Sequence, residues 1–320
     1  MKPNPPTAPT NRSFVYLLLG LGLFFVISLI VVAVCAEKII GHAGQGSGDS
    51  DQITLIEIDG PIYESDDLVR RIKEFRLGSS KALLLRLNSP VGAVAPSQEI
   101  YSEILKARAD KKIVVASMSS VAASGAYYIA AATDKIIADP GTLTASIGVI
   151  AEFPDASSFL EKVGLKFQTI KSGKFKDTGS FSRTMTPQER DYLQSTINDV
   201  FGQFLQSVLD SRRKVFQAKL AKTSGQKSDK ITDAQIREYI LQYADGRVLT
   251  GRKACELGFI DELGNYEDAV DATAKLAGIK GTPEVYLDAP PKFRQLLNNL
   301  TPFSFLSQSH LGLELDYKAF

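Results

Sequence analysis

Histidine is nearly absent. The 320 residues hold two, His42 just past an N-terminal hydrophobic segment and His310 near the C-terminus. Neither falls among the motif-rich residues of the middle, which argues against a Ser-His-Asp triad, since that arrangement needs an imidazole beside its serine. Cysteine is equally scarce. Cys35 and Cys255 form no C-x-x-C pair and cannot ligate zinc without histidine help. Cys35 lies within the hydrophobic segment, so no disulfide to Cys255 is expected, and no metal or cofactor is expected either. A charge excess is also missing, with 37 Lys plus Arg against 36 Asp plus Glu for a net charge of +1. Nucleic-acid surfaces normally show a basic excess, so no nucleic-acid partner is expected.

What the sequence does have is one long apolar run. Residues 14–36 carry no charge over 23 positions, roughly 34 Å as a helix, enough to cross a bilayer core. Lys2 and Arg12 flank it on one side, Glu37 and Lys38 on the other. That bias predicts a single-pass anchor with residues 1–13 in the cytoplasm and the rest across an inner or plasma membrane. A cleaved signal peptide is the alternative, because Val34-Cys35-Ala36 offers small residues. Signal-peptide apolar cores are usually shorter than this one. Residues 37–51 follow as a linker, with Gly, Ser and Asp dominating 41–51.

The folded part, expected over 52–287, alternates short apolar runs with helical patterns. Strands are expected at 53–58, 82–87 and 113–117, with helices over 66–76 and 97–109 between them. Ser124 opens a helix of small residues to about 132, and strands are expected at 135–138 and 146–150. Strand, helix, strand in repetition predicts an α/β fold with a mostly parallel sheet and right-handed crossovers. A helical extension follows. Thr186-Pro187-Gln188-Glu189 marks a helix start, with Thr as N-cap and Pro at the first helical position. That helix should run to about 221, and Leu193, Ile197, Val200, Phe201, Phe204, Leu205, Val208 and Leu209 form a stripe read first as core-facing and second as an oligomer contact. Two more helical pieces and a strand at 285–287 are expected, then an irregular tail over 288–320 containing Pro290, Pro291 and Pro302.

Three segments meet if the sheet is parallel, because loops after its strands share one edge. They are residues 87–93, 119–125 and 142–148. Ser124 lies among small residues that let a substrate backbone approach, and at a helix start that favours developing negative charge. The N–H groups of Gly92 and Gly125 would together make an oxyanion hole. With histidine missing, a lysine is the main alternative base. Lys176, within Lys171-Ser172-Gly173-Lys174-Phe175-Lys176-Asp177, is the candidate. Singly, each feature has a plainer reading. A serine before glycine is usually an N-cap, Asn-Ser-Pro usually a turn, and a lone lysine usually a solvated one.

Together they resemble a family. Asn88-Ser89-Pro90-x-Gly92, Ala123-Ser124-Gly125-x-Tyr127-Tyr128, Thr144-x-Ser146-Ile147-Gly148 and Ser172-Gly173-x-x-Lys176-Asp177, in this order, resemble signal peptide peptidase A. Thr250-Gly251-Arg252-Lys253-Ala254-x-x-Leu257-Gly258-x-Ile260-Asp261 extends the likeness, which covers about residues 50–275. A single anchor and one catalytic region look like the short form of that family.

The resemblance implies a Clp protease/crotonase-like fold of repeated ββα-type units and a Ser/Lys-dyad endopeptidase acting on cleaved signal peptides and similar apolar peptides. It implies Ser124 as nucleophile, Lys176 as general base and Ser146 as the hydroxyl orienting the lysine amine, with Gly92 and Gly125 as oxyanion-hole donors. It also implies a homo-oligomer, a ring of about eight, in which the lysine reaches the serine of a neighbouring subunit. Ser124 and Lys176 would then stand apart in one chain. One position departs from the family pattern: Val91 stands where glycine is usual. A lysine in water is protonated at neutral pH and a poor base, whereas burial favours the neutral amine. Lys176 is therefore expected to be desolvated in the assembled site and unpaired with Asp177. A crotonase-type acyl-CoA enzyme and an inactive membrane scaffold are the rivals. The anchor and the Ser124/Lys176 pair disfavour the first, and the intact set of five residues disfavours the second. The tail, 311–320, is a further expectation, as a product-like segment in the groove.

Overall fold

A computed structural model describes residues 51–288 and the strand Asp316–Lys318. The expected anchor, nearly all of the linker and most of the tail lie outside the described residues. Among those described, no helix is long and apolar enough to cross a membrane.

The chain begins β1 (Gln52–Asp59), α1 (Asp66–Leu77), β2 (Ala82–Ser89), β3 (Val91–Ala93), α2 (Val94–Ala109), β4 (Ile113–Ala123) and α3 (Gly125–Ala131). β1, β2 and β4 are parallel neighbours, and β9 (Glu284–Leu287) joins the outer edge of β1. Leu83, Leu84 and Leu85 of β2 are all fully buried, as a parallel sheet covered on both faces requires. On one face Ile56, Ile58, Leu85 and Leu87 pack with residues of α1, α2 and α3. On the other, Ile53, Leu55, Leu84 and Val115 meet Ala269, Val270 and Ala274.

β4 serves two partners. Val115 to Met118 pair with β5 (Lys135–Ala138), and Val121 to Ala123 pair with β6 (Leu143–Ala145). Its register against β2 jumps from Leu87↔Met118 to Ser89↔Ala122, so β4 carries extra residues where it changes partner. Such an irregularity turns a strand, here just before Ser124. β6 also pairs antiparallel with β7 (Val248–Thr250), so the sheet is mostly rather than wholly parallel.

Several boundaries differ from the sequence reading. α2 starts at Val94 instead of 97, with Pro96 in its first turn, where no intrahelical acceptor awaits an N–H. β4 continues to Ala123 instead of 117. The strand expected at 146–150 is replaced by β6 at Leu143–Ala145, which ends there because Ala145 and Ser146 take φ of 62° and 52° and turn the chain out of its extended path. α4 (Ser157–Lys162) precedes the long helix α5 (Pro187–Ser224). α5 opens with the expected capping box between Thr186 and Glu189, and its stripe faces the core through Leu193, Val200, Phe204, Leu205, Val208 and Leu209. Three helices follow instead of two, α6 (Asp233–Leu241), α7 (Gly251–Leu257) and α8 (Tyr266–Ala277), with β8 (Glu262–Leu263) ahead of α8. The tail is not wholly irregular, since Asp316–Lys318 forms β10.

α5 is tied to the sheet by a buried ion pair. Arg212 Nη1 and Nη2 reach the two Asp261 carboxylate oxygens at 2.7 and 2.8 Å, and Asp261 also accepts from the Ile136 N–H at 2.7 Å. Removing one partner of a buried pair strands the other charge, at about 3–5 kcal/mol. Asp261→Ala is therefore expected to lower unfolding stability by about 3 kcal/mol, measured by urea denaturation.

Candidate active site

Ser124 occupies the turn between β4 and α3 with φ 58° and ψ −116°. Such a backbone is rare for any residue but glycine and costs of order 1–3 kcal/mol, so the surroundings must enforce it. They do. The Ser124 N–H donates to Ala145 O at 2.8 Å, locking the turn to the end of β6. All seven residues of α3 are buried. Tyr127 Oη donates to Phe259 O at 3.0 Å, and Tyr128 Oη shares a 2.6 Å hydrogen bond with Ser207 Oγ on α5. Burial pushes the Tyr127 phenol well up, so it stays a neutral donor. Ser124 Oγ itself is buried and has no hydrogen-bond partner among the described residues.

Gly92 and Gly125 touch through their backbones. A Cβ placed on Gly125 would stand 2.7 Å from Gly92 Cα and 2.9 Å from Gly92 N, and a Cβ on Gly92 would stand 3.2 Å from Gly125 Cα. Glycine is needed at Gly125 for space alone. The contact sets two peptide groups side by side next to Ser124. β3 is held there by Ile62, whose N–H donates to Val91 O at 3.0 Å and whose O accepts from Ala93 N at 2.8 Å. Val91 is buried within β3 and its φ is not positive, so this position does not call for glycine. A β-branched residue suits a strand.

Ser146, next to the strained Ala145, donates its hydroxyl to Gly246 O at 3.0 Å. A hydroxyl whose proton is committed in this way meets a lysine amine as an acceptor.

Lys176 is elsewhere. It lies in a run of turns, its N–H donating to Gly173 O at 3.2 Å, and its side chain is exposed. It makes no ion pair among the described residues. Asp177 is engaged by Lys171 and by Arg183, the latter at 2.9 Å. Arg183 and then Lys171 hold the Asp177 carboxyl well below the usual range, and Arg183 with the Thr186 N–H brings Glu189 down to about 2. The desolvation expected of Lys176 is not present in the single chain. The fold therefore gathers Ser124, Gly92, Gly125 and the β6 end bearing Ser146, and leaves Lys176 out of hydrogen-bonding reach of Ser124.

Two further features bear on this arrangement. The segment carrying Lys176 also exposes Phe159, Val163, Leu165, Phe167 and Ile170, with Ile170 wholly in solvent. β10 pairs antiparallel with β3, setting Tyr317 opposite Gly92. Sequence reasoning missed one polar residue here. Ser97, in the first turn of α2, is fully buried and its Oγ has no hydrogen-bond partner among the described residues. A lone serine five residues after Gly92 carries no sequence signal of its own.

A family model, peptidase family S49, matches residues 106–234 and 232–280. A Synechocystis protein with a provisional protease name is 38% identical over 252 residues, 78% of this chain and 83% of that one. The chain belongs to peptidase family S49. It is a serine peptidase of the signal peptide peptidase A type. An S49 relative from Enterococcus faecium, provisionally named signal peptide peptidase SppA, is 31% identical over 67% of this chain and 56% of its own length. Among solved structures, a lysine-to-alanine variant of a membrane-bound stomatin-specific protease, in complex with a substrate peptide, aligns with TM-score 0.44 at 16% identity. That alignment covers 79% of this chain and 100% of the other.

The glycine contact gives a direct test. Gly125→Ala is expected to lower peptide hydrolysis by about a hundredfold, because its Cβ would push the Gly92 and Gly125 backbones apart beside Ser124. Far-UV circular dichroism should show the fold retained.

Proposed function

We propose that this chain is a membrane-anchored serine endopeptidase using a Ser124/Lys176 dyad, with its active site completed between subunits. The observation that carries the reading is the division of the chain into two unlike halves. Ser124 is buried, strained and unpartnered beside two touching glycine peptides, while Lys176 is unpaired on an exposed apolar segment. A contiguous exposed apolar surface of this kind favours a partner. A second copy, covering Phe159, Leu165, Phe167 and Ile170, would also dry the lysine. An octamer-like ring is the assembly the resemblance supplies.

In the proposed reaction the neutral Lys176 amine, oriented by Ser146, takes the Ser124 hydroxyl proton. Ser124 Oγ bonds to the scissile carbonyl carbon, and the oxyanion is received by the Gly92 and Gly125 N–H groups. The lysine ammonium returns its proton to the departing amine as the C–N bond breaks, leaving an acyl-serine. Water then gives a proton to the lysine and attacks. The ester bond breaks and Ser124 regains its proton. Residues 14–36 would hold the domain at the far face of the membrane, with the N-terminus cytoplasmic. Cleaved signal peptides and similar apolar peptides are the substrate class, supported by the name of the Enterococcus relative.

Extended peptides would bind by strand addition to β3. The antiparallel pairing of β10 with that strand supports this, and the tail would compete for the same edge. Deleting residues 311–320 is expected to raise the peptidase rate at low substrate concentration. An unchanged rate would remove the tail from the groove.

Co-assembly tests the shared site. Ser124→Ala and Lys176→Ala chains are each expected to be inactive in detergent. Mixing them after dissociation should restore a fraction of the wild-type rate. No recovery from mixed assemblies would sink the shared-site reading.

A further inference from the structure

Two buried hydroxyls beside the glycine contact, Ser124 Oγ and Ser97 Oγ, have no hydrogen-bond partner among the described residues. The first is accounted for as the nucleophile. The second is not. Leaving a buried hydroxyl unsatisfied costs about 1–3 kcal/mol, and native proteins keep few such groups without a reason. Ser97 Oγ lies 2.6 Å from where a Cβ on Gly125 would stand and 2.7 Å from where one on Gly92 would stand. A single oxygen thus fills the notch left by two missing side chains, against both glycines at once. Gly92 N lies 2.9 Å from the same Gly125 Cβ position. The serine, the β3 peptide and the start of α3 therefore converge on one small volume.

Each partner is fixed from outside. β3 is bonded to Ile62, α3 is pinned through Tyr127 and Tyr128, and Ser97 is carried by the sixteen-residue helix α2. Ser97 Oγ lies against both glycines at the side where they meet, so it limits how the two peptides can shift relative to one another. Oxygen at this position also allows weak Cα–H···O contacts to both glycines.

We propose that Ser97 is a positioning residue for the oxyanion hole, its Oγ acting as the spacer that fixes how far apart the Gly92 and Gly125 N–H groups stand. The proposal rests on the reading of Ser124 as nucleophile and of these two glycines as its oxyanion donors. It acts on the transition state alone, because the oxyanion exists there and not in the bound substrate. Both directions of size change should be harmful. Ser97→Ala removes the spacer, and Ser97→Cys replaces it with a larger atom.

The test uses the full chain in detergent with a peptide substrate and a peptide aldehyde, whose adduct with the serine carries an oxyanion. Both variants are expected to lose about tenfold to a hundredfold in kcat, the scale of a small misplacement at a reacting centre, with KM nearly unchanged. Aldehyde affinity should fall in parallel, while affinity for a product peptide should hold. Ser97→Ala removes no hydrogen bond, so its melting temperature should stay at or above that of the wild type. A wild-type kcat in both variants would overturn the spacer role, and so would a kcat loss matched by a comparable fall in melting temperature. The underlying reading is checked separately. If the aldehyde binds Ser124→Ala as tightly as wild type, the nucleophile assignment fails and the spacer role falls with it.

Discussion

The backbone contact between Gly92 and Gly125 is the constraint on which the site depends. With Gly92 Cα 2.7 Å from any Cβ on Gly125, the β3 loop and the start of α3 can meet only as bare peptides. Everything nearby serves that approach. Ile62 supplies β3 with a parallel bridge, the register jump in β4 delivers Ser124 to the right end, and the tyrosines of α3 anchor the helix away from the contact. Oxyanion stabilisation needs donors fixed before the charge develops. Two peptides that are pressed together, each held from behind, meet that requirement without any side chain that must reorganise.

Strain is concentrated in the same place. Four non-glycine residues among those described have positive φ, and three of them, Ser124, Ala145 and Ser146, belong to this site. They are coupled, since Ala145 O accepts the Ser124 N–H and Ser146 follows directly. The energy that enforces them comes from burial, with α3 wholly enclosed and the strand ends fully packed. Strain held by a well-packed scaffold is a common property of functional turns. Here it places Ser124 and Ser146 on adjoining strand ends.

Much of this was legible in the sequence, for identifiable reasons. β1, β2 and α1 follow from apolar periodicity alone, and the start of α5 from Thr186 and Glu189. Ser124, Gly92 and Gly125 stood out because short motifs recur in a fixed order. What escaped were features set by tertiary context. Residues 146–150 look like a strand, yet the extended run lies at Leu143–Ala145 and ends where Ala145 and Ser146 take positive φ. β10 pairs with a strand more than two hundred residues earlier, beyond any local pattern. Ser97 is an ordinary helix serine until its neighbours in space are known.

The exposure of Lys176 is the remaining physical puzzle, and the proposed assembly resolves it. A lysine acts as a base when an apolar pocket strips it of water. Enclosing it within a single chain would require the segment around Phe159 to Ile170 to fold over Ser124, burying the lysine permanently. Desolvating an amine inside one subunit is a standing cost to folding. Supplying the dry environment from a second subunit would move that cost to assembly, where burial of Phe167 and Ile170 would offset it. The nucleophile half would then be complete but idle in a lone chain. Base strength would appear only with the partner, so stray proteolysis by unassembled subunits would be suppressed by the same desolvation that drives catalysis.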